Sequence, residues 1–130
     1  KQIPLPSLED TGLPQQVELL GELQAIGKTP LVLDSKDVLQ HPEAMLSLTC
    51  DKLGIAFDDA MLSWPAGSRE SDGVWAPHWY ASVEQSTGFA KWKPKEELVP
   101  AHLEALCLKC EELYGVLKKE KLESPNATEV

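Results

Sequence analysis

A single arginine, Arg69, stands among 130 residues, and the other eleven of the twelve basic side chains are lysines. Set against 21 acidic residues they leave a net charge of −9. A surface of that sign repels polyanions, which argues against diffuse binding to nucleic acid or to an anionic membrane. Long hydrophobic runs are also missing. No eighteen consecutive apolar residues occur, and the opening KQIPLPSLED has no positive region followed by an apolar stretch. Neither a transmembrane helix nor a secretory signal is predicted, so the expected compartment is cytoplasmic or organellar, not secreted. Cysteine is scarce: three residues, an odd number, speak for reduced thiols over a disulfide framework. Without a secretory signal, the Asn126-Ala127-Thr128 sequon in the polar tail reads as fortuitous.

What is present fits one ordinary domain with an average apolar share of 42%. Residues 1–12 hold two prolines and no period, and read as a flexible N-terminal arm. Leu13, Val17, Leu20, Leu23 and Ile26 then recur at spacings of four and three, with Pro14 in the first turn and Gly27 at the end, predicting an amphipathic helix. Thr29 to Asp34 (TPLVLD) is a short apolar run that predicts a buried strand leading into an Asp34-Ser35 turn. A short helix is expected over Ser35 to Leu39. Pro42 starts another, carrying Leu46, Cys50 and Leu53 and closed by Gly54, and Asp58 caps a further brief helix through Met61 and Leu62. From Ser63 to Phe89 periodicity fails, and residues 63–89 read as a long Trp-, Gly- and Pro-rich loop. After Pro100, the residues Leu103, Leu106, Cys107, Cys110, Leu113, Tyr114 and Leu117 form one stripe of a long helix ending in lysines. The organisation expected is a single helical domain over 13–122 and a disordered tail over 123–130. One strand cannot satisfy its own backbone. The chain is therefore either a helical bundle with an extended segment or part of a larger α/β domain.

Familiar catalytic motifs do not survive inspection. Gly27-Lys28-Thr29 imitates the end of a phosphate loop, but the preceding Gly21 is one residue too far away. The order is also reversed, because here a glycine ends a helix ahead of a strand. Cys107 and Cys110 form C-x-x-C, yet Cys50, His41, His78 and His102 supply no second paired spacing for zinc, so core packing on the helical stripe explains the pair. Asp58-Asp59 and Glu96-Glu97 are adjacent and point to different helix faces, which suits capping and solvation. No G-x-S-x-G, H-E-x-x-H or EF-hand pattern occurs, and no metal site is expected. Asp34 at the strand end reads as a turn cap before a ligand-binding group.

The loop remains. An arginine flanked by glycine and serine can hold a phosphate or sulfate while backbone amides approach closely, and a neighbouring tryptophan can stack on a base. The plainer reading makes the tryptophans core plugs and pairs Arg69 with Glu70 or Asp72. Trp64, His78, Trp79 and Tyr80 are the loop residues with interaction potential.

LVLDSKDVL, HPEAMLSLTCDKLGI, FDDAMLSWPAG and DGVWAPHWYASVEQSTGF, between Leu31 and Phe89, resemble the C-terminal half of P-loop sulfotransferase-like proteins. The similarity is to the bacterial and plant branch associated with branched-chain aminotransferase-like proteins. The last helix, VPAHLEALCLKCEELYGVL, is similar to that family's closing helix. The resemblance implies a mainly α chain with one or two short strands, the C-terminal part of an α/β domain. It also implies transfer of sulfuryl groups from 3′-phosphoadenosine 5′-phosphosulfate to hydroxyl or amine acceptors. Arg69, Gly73 and Trp75 match the Arg, second Gly and Trp of the family's R-K-G-x-x-G-x-W loop. Glu70 and Ser71 stand in place of Lys and Gly, and the Arg-to-Gly spacing is one residue short. An acidic neighbour weakens a phosphate role. No catalytic residue is assigned. The expected function is that of a C-terminal sulfotransferase-like segment, not catalytically competent alone because it lacks the phosphate loop, with no cofactor of its own. The expected partner is a missing N-terminal half of the domain, or a second copy joined through Leu31 to Leu33. The competing expectation is a helical interaction or regulatory module that uses Trp64, Trp75 and Trp79. Aminotransferase chemistry is not expected, because nothing supplies a Schiff-base lysine with a phosphate cup.

Overall fold

The structure, a computed structural model, describes residues 5–125. Among them lie six α-helices: α1 (Leu13–Ala25), α2 (Ser35–Gln40), α3 (Pro42–Leu53), α4 (Ala76–Trp79), α5 (Ala81–Gln85) and α6 (Glu104–Lys118). The described residues form no sheet, only two isolated bridges. Contacts divide the chain into two compact units, Lys1–Asp34 with Pro94–Glu123 and Ser35–Lys93 with Ser124–Val130. The stretch 13–122, expected as a single domain, is shared between them.

In the first unit α1 packs on α6. Pro14 occupies the opening turn of α1, where its missing N–H costs nothing. At the other end the Lys28 N–H donates to the Leu23 carbonyl at 2.9 Å and the Gly27 N–H to Gln24 at 3.0 Å. Those two bonds close the helix around Gly27 at φ 75°, a left-handed conformation that a side chain resists. Ahead of α1 the expected arm carries local structure. The Ser7 N–H and hydroxyl donate to Asp10 Oδ2 at 2.7 and 3.0 Å, and the Asp10 N–H returns to Ser7 Oγ at 3.3 Å. This reciprocal cap opens a 3-10 turn over Glu9–Thr11. The bond from the Ser7 N–H, and then that from its hydroxyl, favour the ionised form and hold the Asp10 carboxyl below its ordinary value. Residues 1–4 of the arm, and residues 126–130 of the expected tail with the Asn126 sequon, lie outside the described residues. Ser124, inside that tail, is buried.

The predicted stripe is only half-buried: Leu106, Cys107, Cys110, Leu113 and Leu117 of α6, with Leu103 just ahead of the helix, keep intermediate exposure, and Tyr114 is exposed. No residue of α6 is fully buried. Cys107 and Cys110 are free thiols, with Cys107 Sγ 3.9 Å from Glu111 Oε1. The buried strand expected over Thr29 to Asp34 is not one. Its ladder is a single parallel bridge between Val32 and Lys121, with the Leu122 N–H donating to the Val32 carbonyl at 2.8 Å, and Leu33 is exposed. The reason is physical: the pairing this run makes among the described residues is a single rung to Lys121 and Leu122, and one rung does not build a strand.

The second unit is built from shorter pieces around α3. Met45 is fully buried and Cys50 nearly so, and the Cys50 thiol donates to Met61 Sδ at 3.9 Å. Burying a side chain of that size stabilises by roughly 1.5–3 kcal/mol. Gly54, at φ 71°, closes α3 as Gly27 closes α1, with the Ile55 N–H donating to the Cys50 carbonyl at 3.0 Å. Asp58 caps the 3-10 turn Asp59–Met61 through its carboxylate and the Ala60 N–H at 2.8 Å, as its position predicts. Lys36 Nζ stands 4.5 Å from the Trp92 ring centroid, a cation over an aromatic face.

Candidate functional site

Residues 63–89 form a loop with two short helices, and long-range pairing holds its two ends together. Ser63 and Gly88 make an antiparallel bridge, and the Trp64 N–H donates to the Thr87 carbonyl at 3.0 Å. The Trp64 indole N–H donates to Ser86 Oγ at 2.9 Å, and the same hydroxyl donates onward to the Val83 carbonyl at 2.6 Å. Edge-on packing against Phe89, with centroids 5.4 Å apart at 84°, completes this anchor. Trp64 is therefore a plug for the loop base, as the plainer reading expects.

Arg69 lies further along, exposed, in a turn of its own. Asp72 accepts the Arg69 backbone N–H through Oδ2 at 2.8 Å, and the Asp72 N–H returns to the Arg69 carbonyl at 3.0 Å. The guanidinium reaches the Pro65 carbonyl at 3.3 Å, a long bond that leaves most of its donors to solvent. Asp72 thus spends its carboxylate on shaping the turn rather than on the Arg69 charge. A second turn follows at once, with the Ala76 N–H donating to the Gly73 carbonyl at 3.0 Å. A side-chain carbon placed on Gly73 would meet nothing within 4 Å, so no neighbouring group crowds the backbone there.

Trp75 and Trp79 come next. The Trp79 N–H donates to the Trp75 carbonyl at 3.1 Å, so the pair sits one helical turn apart on one side of α4. Trp75 is 64% and Trp79 61% exposed, with Tyr80 and Val83 also open to solvent. The three tryptophans read together from the sequence therefore divide: Trp64 points inward, Trp75 and Trp79 do not. His78, on α4 between them, is exposed. Among the described residues no group of three His, Cys, Asp or Glu side chains is placed to hold a metal ion.

Residues 11–118 match the family model described as a sulfotransferase domain. The chain belongs to the sulfotransferase domain family. Two Arabidopsis thaliana proteins are similar to it along most of its length. "Branched-chain-amino-acid aminotransferase-like protein 1" is 38% identical over 113 residues, which is 87% of this chain and 20% of that protein. "Branched-chain-amino-acid aminotransferase-like protein 2" is 35% identical over 112 residues, 86% of this chain and 20% of that protein. The chain thus spans about a fifth of the length of the curated relatives it matches. No solved structure matches it. This sulfotransferase segment is mainly helical, and none of its described helices is long and apolar enough to cross a membrane.

Two contacts of this sulfotransferase segment escape sequence reasoning. Ser86, at the centre of the loop anchor, carried no signal beyond lying in the S-T-G-F run. In the other unit, the Tyr114 hydroxyl donates to Asp34 Oδ2. Asp34 is thereby tied to α6 as well as ending the apolar run, and a separation of 80 positions along the chain hides that pairing from any local pattern.

Proposed function

We propose that this chain is the C-terminal segment of a sulfotransferase domain in which the turn carrying Arg69, Gly73 and Trp75 contributes to holding 3′-phosphoadenosine 5′-phosphosulfate, and that residues beyond these 130 complete the site. The observation that supports this reading is the exposed Arg69 guanidinium, held only by the Pro65 carbonyl and followed directly by the uncrowded Gly73 backbone. Such a turn offers one bidentate anion contact. It does not fit a doubly phosphorylated nucleotide by itself, because Glu70 and Asp72 border the only cation between residues 63 and 89. No catalytic step is therefore assigned to the chain, which on this reading has no sulfotransferase activity alone.

Titration of adenosine 3′,5′-bisphosphate into the isolated chain, followed by calorimetry, is expected to give a Kd no tighter than roughly 1 mM. Micromolar binding that disappears in Arg69→Ala would show that the segment holds a complete site and would overturn this reading.

The exposure of Trp75 and Trp79 favours a second reading, a helical module that binds another protein through α4. Acrylamide is expected to quench these two rings strongly and Trp64 weakly. Weak quenching of all three would remove the surface on which the module depends.

A further inference from the structure

The C-x-x-C pair of α6 takes no part in the loop site, and its two thiols are neither joined to each other nor packed away. Cys107 and Cys110 are free and keep intermediate exposure. Residues three apart on a helix stand about one turn above one another, with roughly 5–6 Å between their Cβ atoms. Helical side chains lean towards the N-terminus, so Cys110 leans towards the turn that carries Cys107. From the same direction Glu111 reaches back, and its Oε1 accepts the Cys107 thiol at 3.9 Å. An open cleft of about 250 Å³, lined by Val99, Glu104, Cys107 and Leu108, brings solvent to the first of the two thiols.

That spacing selects what the two thiols can share. A disulfide needs Cβ atoms about 3.5–4.5 Å apart, so joining them directly would distort the helix. An ion between the sulfurs suits the spacing better, because thiolate bonds of about 2.3 Å on either side of it span roughly 4.6 Å. Hard ions such as magnesium take oxygen ligands instead, and tetrahedral zinc needs four donors. Among the described residues no group of three His, Cys, Asp or Glu side chains is placed to begin such a set. Copper(I) is soft, favours thiolates and is satisfied by two of them. We propose that Cys107 and Cys110 together form a two-thiolate site for copper(I). On binding, two S–H bonds break and two Cu–S bonds form with no change of oxidation state. The Cys107 proton passes to the Glu111 carboxylate that already accepts it, and both protons leave to water.

Anaerobic titration decides it. Copper(I), supplied as its acetonitrile complex, is added to the reduced 130-residue chain in competition with a chromogenic copper(I) chelator. One ion per chain is expected to be withheld from the chelator, with a thiolate-to-copper absorption in the near ultraviolet. Cys107→Ser and Cys110→Ser are each expected to lose both signals while the helical circular dichroism is unchanged, which separates loss of a ligand from loss of the fold. Cys110→Met, which exchanges one soft donor for another, is expected to keep the ion with a weaker absorption. No copper withheld by the unaltered chain overturns the proposal, as does copper kept by either serine variant, which places the ion elsewhere. One ion per two chains overturns it as well, because the site is then a contact between copies. So does displacement of the copper by equimolar zinc(II), which requires ligands beyond these two thiols.

Discussion

The two units of this segment reach order by opposite means. The first has the most regular sequence in the chain, two long amphipathic helices with clear starts and stops, and among the described residues it buries almost nothing completely: Leu20 is its one buried apolar side chain, and α6 has none. The second has the least periodic sequence, and it contains the one large side chain fully buried among the described residues, Met45, together with Cys50 and Ala76. Periodicity specifies which face of a helix is apolar, but it does not guarantee that the chain at hand covers that face. The irregular unit compensates with specific contacts, a hydroxyl shared by an indole and a carbonyl, a thiol on a thioether, and a cation on a ring.

The largest expected effect that tests this contrast is Met45→Ala. Removing a fully buried thioether side chain should cost about 2–5 kcal/mol, read as a lowered midpoint in urea unfolding. The matched change at Leu108, which is exposed on α6, should stay within roughly 0.5 kcal/mol. Equal costs would erase the difference between the units. Next in size come the helix stops. Gly27→Ala and Gly54→Ala each force a methyl group into the left-handed region and should cost roughly 1–2 kcal/mol. Both sites have open space around the added carbon, so the penalty is one of backbone alone and should be similar in the two units. Trp64→Phe follows. It keeps the ring against Phe89 and removes the indole donor to Ser86, a net loss of about 1 kcal/mol. The expected signature is faster exchange of the Trp64 amide, and unchanged exchange would show that the backbone bridge holds the loop base unaided.

The smallest effect is at Asp10. Its carboxyl is held below the ordinary 3.8 by Ser7, so the bond's contribution is complete above pH 3.8 and is lost as pH falls through the lowered value. Acidification followed by NMR should move the Ser7 amide resonance below pH 3.8 while resonances of α3 stay in place.

Much of this fold is legible in the sequence, and the parts that are not share a physical cause. Pro14 and Gly27, Pro42 and Gly54, and Asp58 announce local events, and local chemistry decided them. The buried strand over Thr29 to Asp34 was an inference from composition about pairing, and pairing depends on what lies alongside. One rung from Lys121 and Leu122 is what the described chain supplies. The loop shows the same division. Trp64, Trp75 and Trp79 are identical residues within sixteen positions of one another, and which became the plug was settled by Ser86 and Phe89, more than twenty residues downstream. At the candidate site the family-like residues Arg69, Gly73 and Trp75 do fall on consecutive turns, whereas the engagement of Asp72 with the Arg69 amide rather than its guanidinium is a matter of geometry that no spacing conveys.

The contact between α1 and α6 also sets an order of events. Because that unit takes its two long helices from distant parts of the sequence, α1 is synthesised long before its partner, and a helix of 13 residues is marginal by itself in water. Ser35–Lys93, synthesised in between, already contains α2 to α5 and the loop anchor, so it is complete in the growing chain before α6 is made. Vectorial synthesis is therefore expected to complete the irregular unit first and to leave the bond between Tyr114 and Asp34 among the last made, an order that pulse-labelled hydrogen exchange during refolding would read.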